Sequence, residues 1–312
     1  MSGDAELRIL VNPVGIDAEV GPVFLTRCFA TRWTDVMYRW YLQRSFGGEV
    51  SDRLILMDGA RAVAGCGVVY RQLRTQDGEL HRVGVVVAAC TLPSARGRGC
   101  YARVLQAAAD RSAVRGCAAL LGFVTADNAT GRGLRRLGAA AIPSAYIVSR
   151  DRAPVPHAGI LQLRDAQVAD DWPARAESRP HAAAAPAGFH YPDAGAWRSQ
   201  FVDRPHGVQT LRIGATCRAV IEGVDGTDRL QWLDGDVRER VAAIRAILAR
   251  ARRHRRELFM YSTCPHEAAA ARRLGLAAHP GYMMALALPA GHATSVRDWA
   301  SMSWRVQSGD RM

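Results

Sequence analysis

Apolar residues fall in two rhythms along this chain. In its first half they come as short unbroken runs, VGVVVAACTL (Val83 to Leu92) and AALLGFVTA (Ala118 to Ala126), with a further stretch at Ala145-Tyr146-Ile147-Val148. Runs of this length, rich in β-branched residues and bounded by turn residues, predict buried strands. Between the first two the period becomes helical: Tyr101, Val104, Leu105 and Ala108 share one face, while Arg103, Asp110 and Arg111 can reach water. Upstream, Leu7–Val11 predicts a first strand, and Arg53–Met57 with Val63–Tyr70 predicts a hairpin turning at Asp58-Gly59. Between them, Phe29, Trp33, Tyr38, Trp40, Tyr41 and Phe46 crowd a segment that reads as helix packed by its aromatic face.

After Arg150 the pattern breaks. Pro154, Pro156 and Gly159 suggest a linker, and Pro180 to Gly188 a flexible loop. The pattern then repeats itself. VTADNATGRGLRRLGAAAIP from Val124 aligns without a gap on YSTCPHEAAAARRLGLAAHP from Tyr261, an offset of 261 − 124 = 137, so that Arg135-Arg136-Leu137-Gly138 falls on Arg272-Arg273-Leu274-Gly275. The helix expected before the second copy carries Val237, Val241, Ile244 and Leu248 on one side and Arg238, Arg245, Arg252 and Arg256 on the other. These observations predict two domains, 1–150 and 151–312.

The turn Pro93-Ser94-Ala95-Arg96-Gly97-Arg98-Gly99 joins a strand to a helix start. Such a junction suits an anion, because the first turn of a helix presents unpaired N–H groups and the positive end of its dipole, and glycine permits close approach. Arg96 and Arg98 add charge suited to phosphate. The string T-L-P-S-A-R-G-R-G-C, followed by N-x-x-G-x-x-L-R-R-L-G, resembles the GCN5-related N-acetyltransferases, whose pyrophosphate loop reads Q/R-x-x-G-x-G/A. Two positions depart from that pattern: Tyr101 stands where Gly or Ala closes the loop, and Leu134 stands where a tyrosine often serves as general acid.

The resemblance implies an α/β (α+β) chain of two tandem domains of that family, each a mixed central sheet flanked by helices. The first copy would bind acetyl-CoA or another acyl-CoA as co-substrate and pass the acyl group to a primary amine by direct attack. Cys90, Thr91 and Leu92 would face the thioester and pantetheine, Arg96, Gly97, Arg98, Gly99, Cys100, Tyr101 and Ala102 the pyrophosphate, and Asn128 the pantetheine arm; Asn128 also suits a helix N-cap. The aromatic segment near residue 40 would border the acceptor pocket. The second copy would not bind the cofactor, since the offset puts Asp234 and Asp236 where the loop glycines stand, and Asp236 suits an N-cap.

A general base is not evident. His81, Glu79 and Asp127 are candidates that read equally as solvated turn residues, and Tyr146 is a candidate acid that reads equally as a strand aromatic. The missing base and Leu134 leave open a protein that binds acyl-CoA without transferring from it. The histidines lack ligand spacing, and none of the seven cysteines forms a C-x-x-C pair, so neither a metal site nor a disulfide framework is expected. The net charge of +12 raises the question of nucleic acid. Every basic residue is arginine, however, in an alanine-rich chain; a nucleotide-composition bias explains this, and no helix-turn-helix, zinc or RNP signature accompanies it. The expected partner is a small amine. With no apolar run of about eighteen residues and no signal-peptide pattern, the sequence predicts a cytoplasmic protein.

Overall fold

The computed structural model describes residues 7–14, 21–149, 161–166, 186–289, 296 and 298–311. The linker expected after Arg150 lies outside them. Strand β1 (Leu7–Val11) leads to helices α1 (Pro22–Phe29) and α2 (Asp35–Leu42), a small ribbon of β2 (Ser45–Phe46) and β3 (Glu49–Val50), and the hairpin β4 (Asp52–Asp58) and β5 (Arg61–Arg74). Then come β6 (Leu80–Thr91), α3 (Cys100–Val114), β7 (Ala119–Thr125), α4 (Ala129–Arg136) and β8 (Ala140–Val148). The second half runs β9 (Leu163–Asp165), β10 (Gly188–His190), α5 (Ala194–Phe201), β11 (Val208–Ile213), β12 (Cys217–Val224), β13 (Thr227–Leu233), α6 (Val237–Arg253), β14 (Glu257–Ser262), α7 (Pro265–Arg273) and β15 (Ala277–Ala287). From the crossover helix onward the offset of 137 holds element for element: Cys100 maps to Val237, where α6 begins, and Ala140 to Ala277, where β15 begins.

Both halves share one sheet, ordered β1-β4-β5-β6-β7-β15-β8-β14-β13-β12-β11-β9, with β10 added beside β5. Its parallel pairs, β6/β7 and β13/β14, are each bridged by a crossover helix, α3 and α6. The final strands are exchanged. β15 of the second half lies between β7 and β8, and β8 of the first lies between β15 and β14. The cores follow the exchange: Met283, Met284 and Leu286 of β15 belong to the first-half core, while Ala145 and Ile147 of β8 belong to the second. Each fully buried side chain of this size contributes about 1.5–3 kcal/mol, so the two halves are joined by a substantial share of their cores.

The expected loop, Pro180 to Gly188, is described from residue 186 and runs at Gly188 into β10, which pairs His190 with Gln72 of the first half. The C-terminal segment also spans both halves. Gln307 bridges to Ser262, Trp304 to Ala187, and the Arg71 guanidinium donates to the Asp310 carbonyl at 2.9 Å. Most of the aromatic segment is core: Tyr38, Trp40 and Tyr41 are buried, and the Arg44 guanidinium lies 3.9 Å from the Trp40 ring centre, whereas Phe29 is exposed.

On α3, Val104, Leu105 and Ala108 are buried as expected. Arg111 is not simply solvated. It and Arg115 reach down to the fully buried Asp52 at 2.6 and 3.3 Å, and Asp52 also accepts from Tyr70 and Asn12, both at 2.6 Å. Burial alone would raise the Asp52 pKa. The hydrogen bonds from Arg111, Tyr70, Asn12 and Arg115 outweigh that and hold the carboxyl well below its ordinary value.

Candidate functional site

β6 and β7 part company where the loop begins to matter. Their ladder covers only Val83–Val85 against Ala119–Leu121; beyond it β7 follows β15 and β6 stays with β5. A bulge sharpens the divergence. Gly65 pairs with Cys90 and Gly67 with Val87, so Ala88 and Ala89 both oppose Cys66, and Ala88 takes a left-handed φ of 48°. The β7-side edge of β6 beyond Val85 therefore has no strand partner among the described residues. At this split opens a cleft of about 830 Å³ between the start of α3 and α4.

The loop after β6 forms the cleft's floor. A 3-10 turn (Pro93–Ala95) leads to Gly97 and Gly99, with φ of 79° and 73°, a region where side chains are disfavoured. Gly99 is the N-cap of α3, and a Cβ on either glycine would meet nothing within 4 Å. The first amide to bond within the helix is Arg103, to the Gly99 carbonyl at 3.2 Å; the amides of Cys100, Tyr101 and Ala102 precede it and face the N-terminal end. The Thr91 hydroxyl is buried without a hydrogen-bond partner and belongs to the cleft lining.

Of the expected residues, Cys90, Thr91, Arg96, Gly97, Gly99, Cys100, Tyr101, Ala102 and Asn128 line the cleft. Leu92 and Arg98 do not. The Leu92 amide donates to the Val63 carbonyl at 2.9 Å, and the Arg98 guanidinium is paired with Asp58 at 2.8 Å. Tyr101, where the resembling family has Gly or Ala, hydrogen-bonds Thr130 and so ties the first turn of α3 to α4; burial pushes its phenol pKa up. Asn128 is the N-cap of α4, its side chain accepting from the Thr130 amide at 2.7 Å. The thiols of Cys28 and Cys90 are hydrogen-bonded at the cleft wall: contact with Cys90 lowers Cys28, and contact with Cys28 raises Cys90, as does burial.

The candidates for acid–base work are scattered. Asp127 is exposed beside Asn128 and outside the lining. His81 stands at the start of β6, ten residues before Thr91 and so roughly 30 Å away along the strand; its ring is edge-on to Trp299, with Nε2 3.5 Å from Glu79. Tyr146 lies on β8 against Tyr261. Leu134 is fully buried on Gly122, where a Cβ would meet it at 2.6 Å. Sequence reading missed Arg132 and Arg136, which line the cleft with Asn128. Their four-residue spacing on α4 is a signal that could have found them.

The second copy lacks this loop. β13 ends at Leu233 and α6 begins at Val237, leaving only residues 234–236 against 92–99 in the first copy. Asp236 closes a capping box with Glu239, and Asp234 accepts from the Arg218 amide. Two amides at the start of α6, those of Asp236 and Glu239, are thus already satisfied by carboxylates. Among the described residues no metal-binding group of three or more His, Cys, Asp or Glu occurs, and no helix is long and apolar enough to cross a membrane.

No family model matches the sequence, and no curated protein does. Solved structures do match. A tandem GNAT protein from the clavulanic acid biosynthesis pathway is similar over 90% of this chain and 98% of its own, at 12% identity and a TM-score of 0.61. A putative acetyltransferase from Pyrococcus horikoshii covers 89% of each chain at 9% identity and 0.59. A GCN5-related N-acetyltransferase from Anabaena variabilis covers 89% of this chain and 72% of its own, at 14% identity and 0.58. With a mixed sheet split at its central parallel pair and a glycine loop at the split, this chain has the fold of the GCN5-related N-acetyltransferases.

Proposed function

We propose that this chain is a cytoplasmic acyl-CoA-dependent N-acyltransferase, using acetyl-CoA, that acylates a primary amine in a ternary complex. Residues 1–150 would supply the CoA site and 151–312 a degenerate copy that completes the structure. The observation carrying this reading is the split between β6 and β7, with unpaired helix amides, two left-handed glycines and an orphaned Thr91 hydroxyl all turned to one cleft.

The donor supplies a thioester. The amides of Cys100, Tyr101 and Ala102 and the Arg96 side chain would hold its pyrophosphate. Thr91 and Asn128 would align the pantetheine, and the free edge of β6 would polarise the carbonyl. The amine nitrogen forms its bond to the carbonyl carbon as the carbon–sulfur bond breaks, and the departing thiolate takes up a proton. Among the described residues the cleft lining contains no carboxylate or imidazole. The amine must then arrive neutral, and turnover rises with pH toward the amine's own pKa.

That same lack, with Leu134 buried where the resembling family often has a tyrosine, favours a second reading in which the chain binds acyl-CoA and transfers nothing. Thiol release from acetyl-CoA over a panel of primary amines separates the two. Amine-dependent release supports transfer; CoA binding in calorimetry with no release for any amine overturns it in favour of the sensor.

A further inference from the structure

The sheet face opposite the cleft carries a positive charge boxed by rings. Gly122 of β7 faces α4, so Phe123, the next residue, faces the other way. Phe123 lies two positions past Leu121, the last β7 residue paired with β6, and so stands at the split where a thioester threaded from the α3–α4 side would emerge. Its ring meets Tyr261 edge-on at 5.7 Å. Tyr261 meets Tyr146 at 5.2 Å, and Tyr146 approaches Phe259 at 6.3 Å. Gly281 of β15 makes room for this cluster, since a Cβ there would come within 2.5 Å of the Tyr146 ring.

The guanidinium carbon of Arg311 sits 5.0 Å from the Tyr146 ring centre, 5.3 Å from Phe259 and 5.0 Å from Tyr261. Its Nε is buried without a hydrogen-bond partner. Ring quadrupoles therefore hold this cation, and they attract an ammonium as readily as a guanidinium because they impose no donor geometry. Asp310, the neighbouring carboxylate, is turned away to Tyr191 and Arg71. Arg311 and Tyr146 are only half-buried, so the box has a way out to solvent.

We propose that this three-ring box is a subsite for a second positive charge on the acceptor, held by Arg311 until the acceptor displaces it. The acceptor class is then a primary amine bearing another cationic group on the order of 10 Å away, the reach from the Phe123 ring across Tyr261 to the boxed charge. This rests on the acyltransferase reading for which nitrogen reacts, but not for the box itself.

The test titrates 1,6-diaminohexane and hexylamine into the full chain by calorimetry, comparing wild type with Arg311→Ala and with Arg311→Gln, which keeps a long side chain but loses the charge. Emptying the box strengthens diamine binding about tenfold relative to hexylamine, and adding Phe259→Leu cancels the gain. Equal gains for the two amines, or none, overturn the proposal. The same amines are then assayed with acetyl-CoA. A hexylamine-to-diamine KM ratio that rises in Arg311→Ala supports the subsite, and a ratio that stays at one in every variant overturns it. Stronger diamine binding without acetyl transfer to either amine supports the box and sinks the transferase reading alone.

Discussion

Gly99→Asp separates the loop's anion chemistry from its role in folding. The position has φ of 73° and open space in front of it, so an added side chain clashes with nothing and projects into the cleft. Asp tolerates the left-handed region better than most residues, and a carboxylate at a helix N-terminus returns about 0.3–1 kcal/mol of the roughly 1–2 kcal/mol conformational cost. The net change is about 1 kcal/mol, or roughly 2–4 °C in Tm. Affinity responds differently. A carboxylate about 4 Å from a pyrophosphate charge costs about 1 kcal/mol at the dielectric of water and about 4 kcal/mol at an effective dielectric of 20. CoA binding should therefore weaken about five- to thousandfold. Calorimetry with CoA measures the loss, circular dichroism melts the fold, and Gly99→Ala isolates the backbone cost. Because the penalty is Coulombic, the gap between Gly99→Asp and wild type should narrow as salt rises from about 0.01 M to 1 M, where the Debye length falls from about 30 to 3 Å. An unchanged CoA affinity, or a Gly99→Ala variant that loses as much as Gly99→Asp, would refute the loop assignment.

Two further outcomes probe stability. Asp52→Asn leaves Arg111 and Arg115 without their carboxylate and should cost about 3 kcal/mol in urea melts at pH 7. Since the Asp52 pKa is depressed in the folded state, wild type keeps this advantage above the unfolded value near pH 4 and loses it as pH falls through the folded one; a difference that stays constant down to pH 2 would contradict the linkage. Leu134→Tyr restores the tyrosine of the resembling family but places it against Gly122, so overpacking should cost about 1–3 kcal/mol. A gain in acetyl transfer, with stability unchanged, would show that the phenol reaches the cleft after all.

Local patterns made much of this molecule legible. Leu7–Val11 is β1 to the residue, the Asp58-Gly59 turn lies between β4 and β5, and the 137-residue offset predicted where α6 and β15 begin. These features depend on neighbours in sequence, where period and turn chemistry operate. The strand exchange does not. Which edge β15 joins depends on contacts with residues over 150 positions earlier, and a run such as GYMMALA carries no mark of its partner. The glycine loop was readable because backbone conformation is written in residue type. Leu92 and Arg98 fall outside the cleft lining, and their partners, Val63 and Asp58, come from the hairpin alongside. The box around Arg311 draws on strands from both halves and on the chain's end, which no single window of sequence contains.

Synthesis on the ribosome runs from N- to C-terminus, and the crossed final strands give that direction a cost. The outer edge of β7 has no partner until Ala277–Ala287 have emerged, although the strands β1 to β8 are all synthesised by Val148. For that interval the nascent chain shows an apolar, unpaired strand edge to its surroundings. A truncated product ending near residue 150 would keep it permanently, so fusion of the two copies ties the finishing of the front half to arrival of the rear.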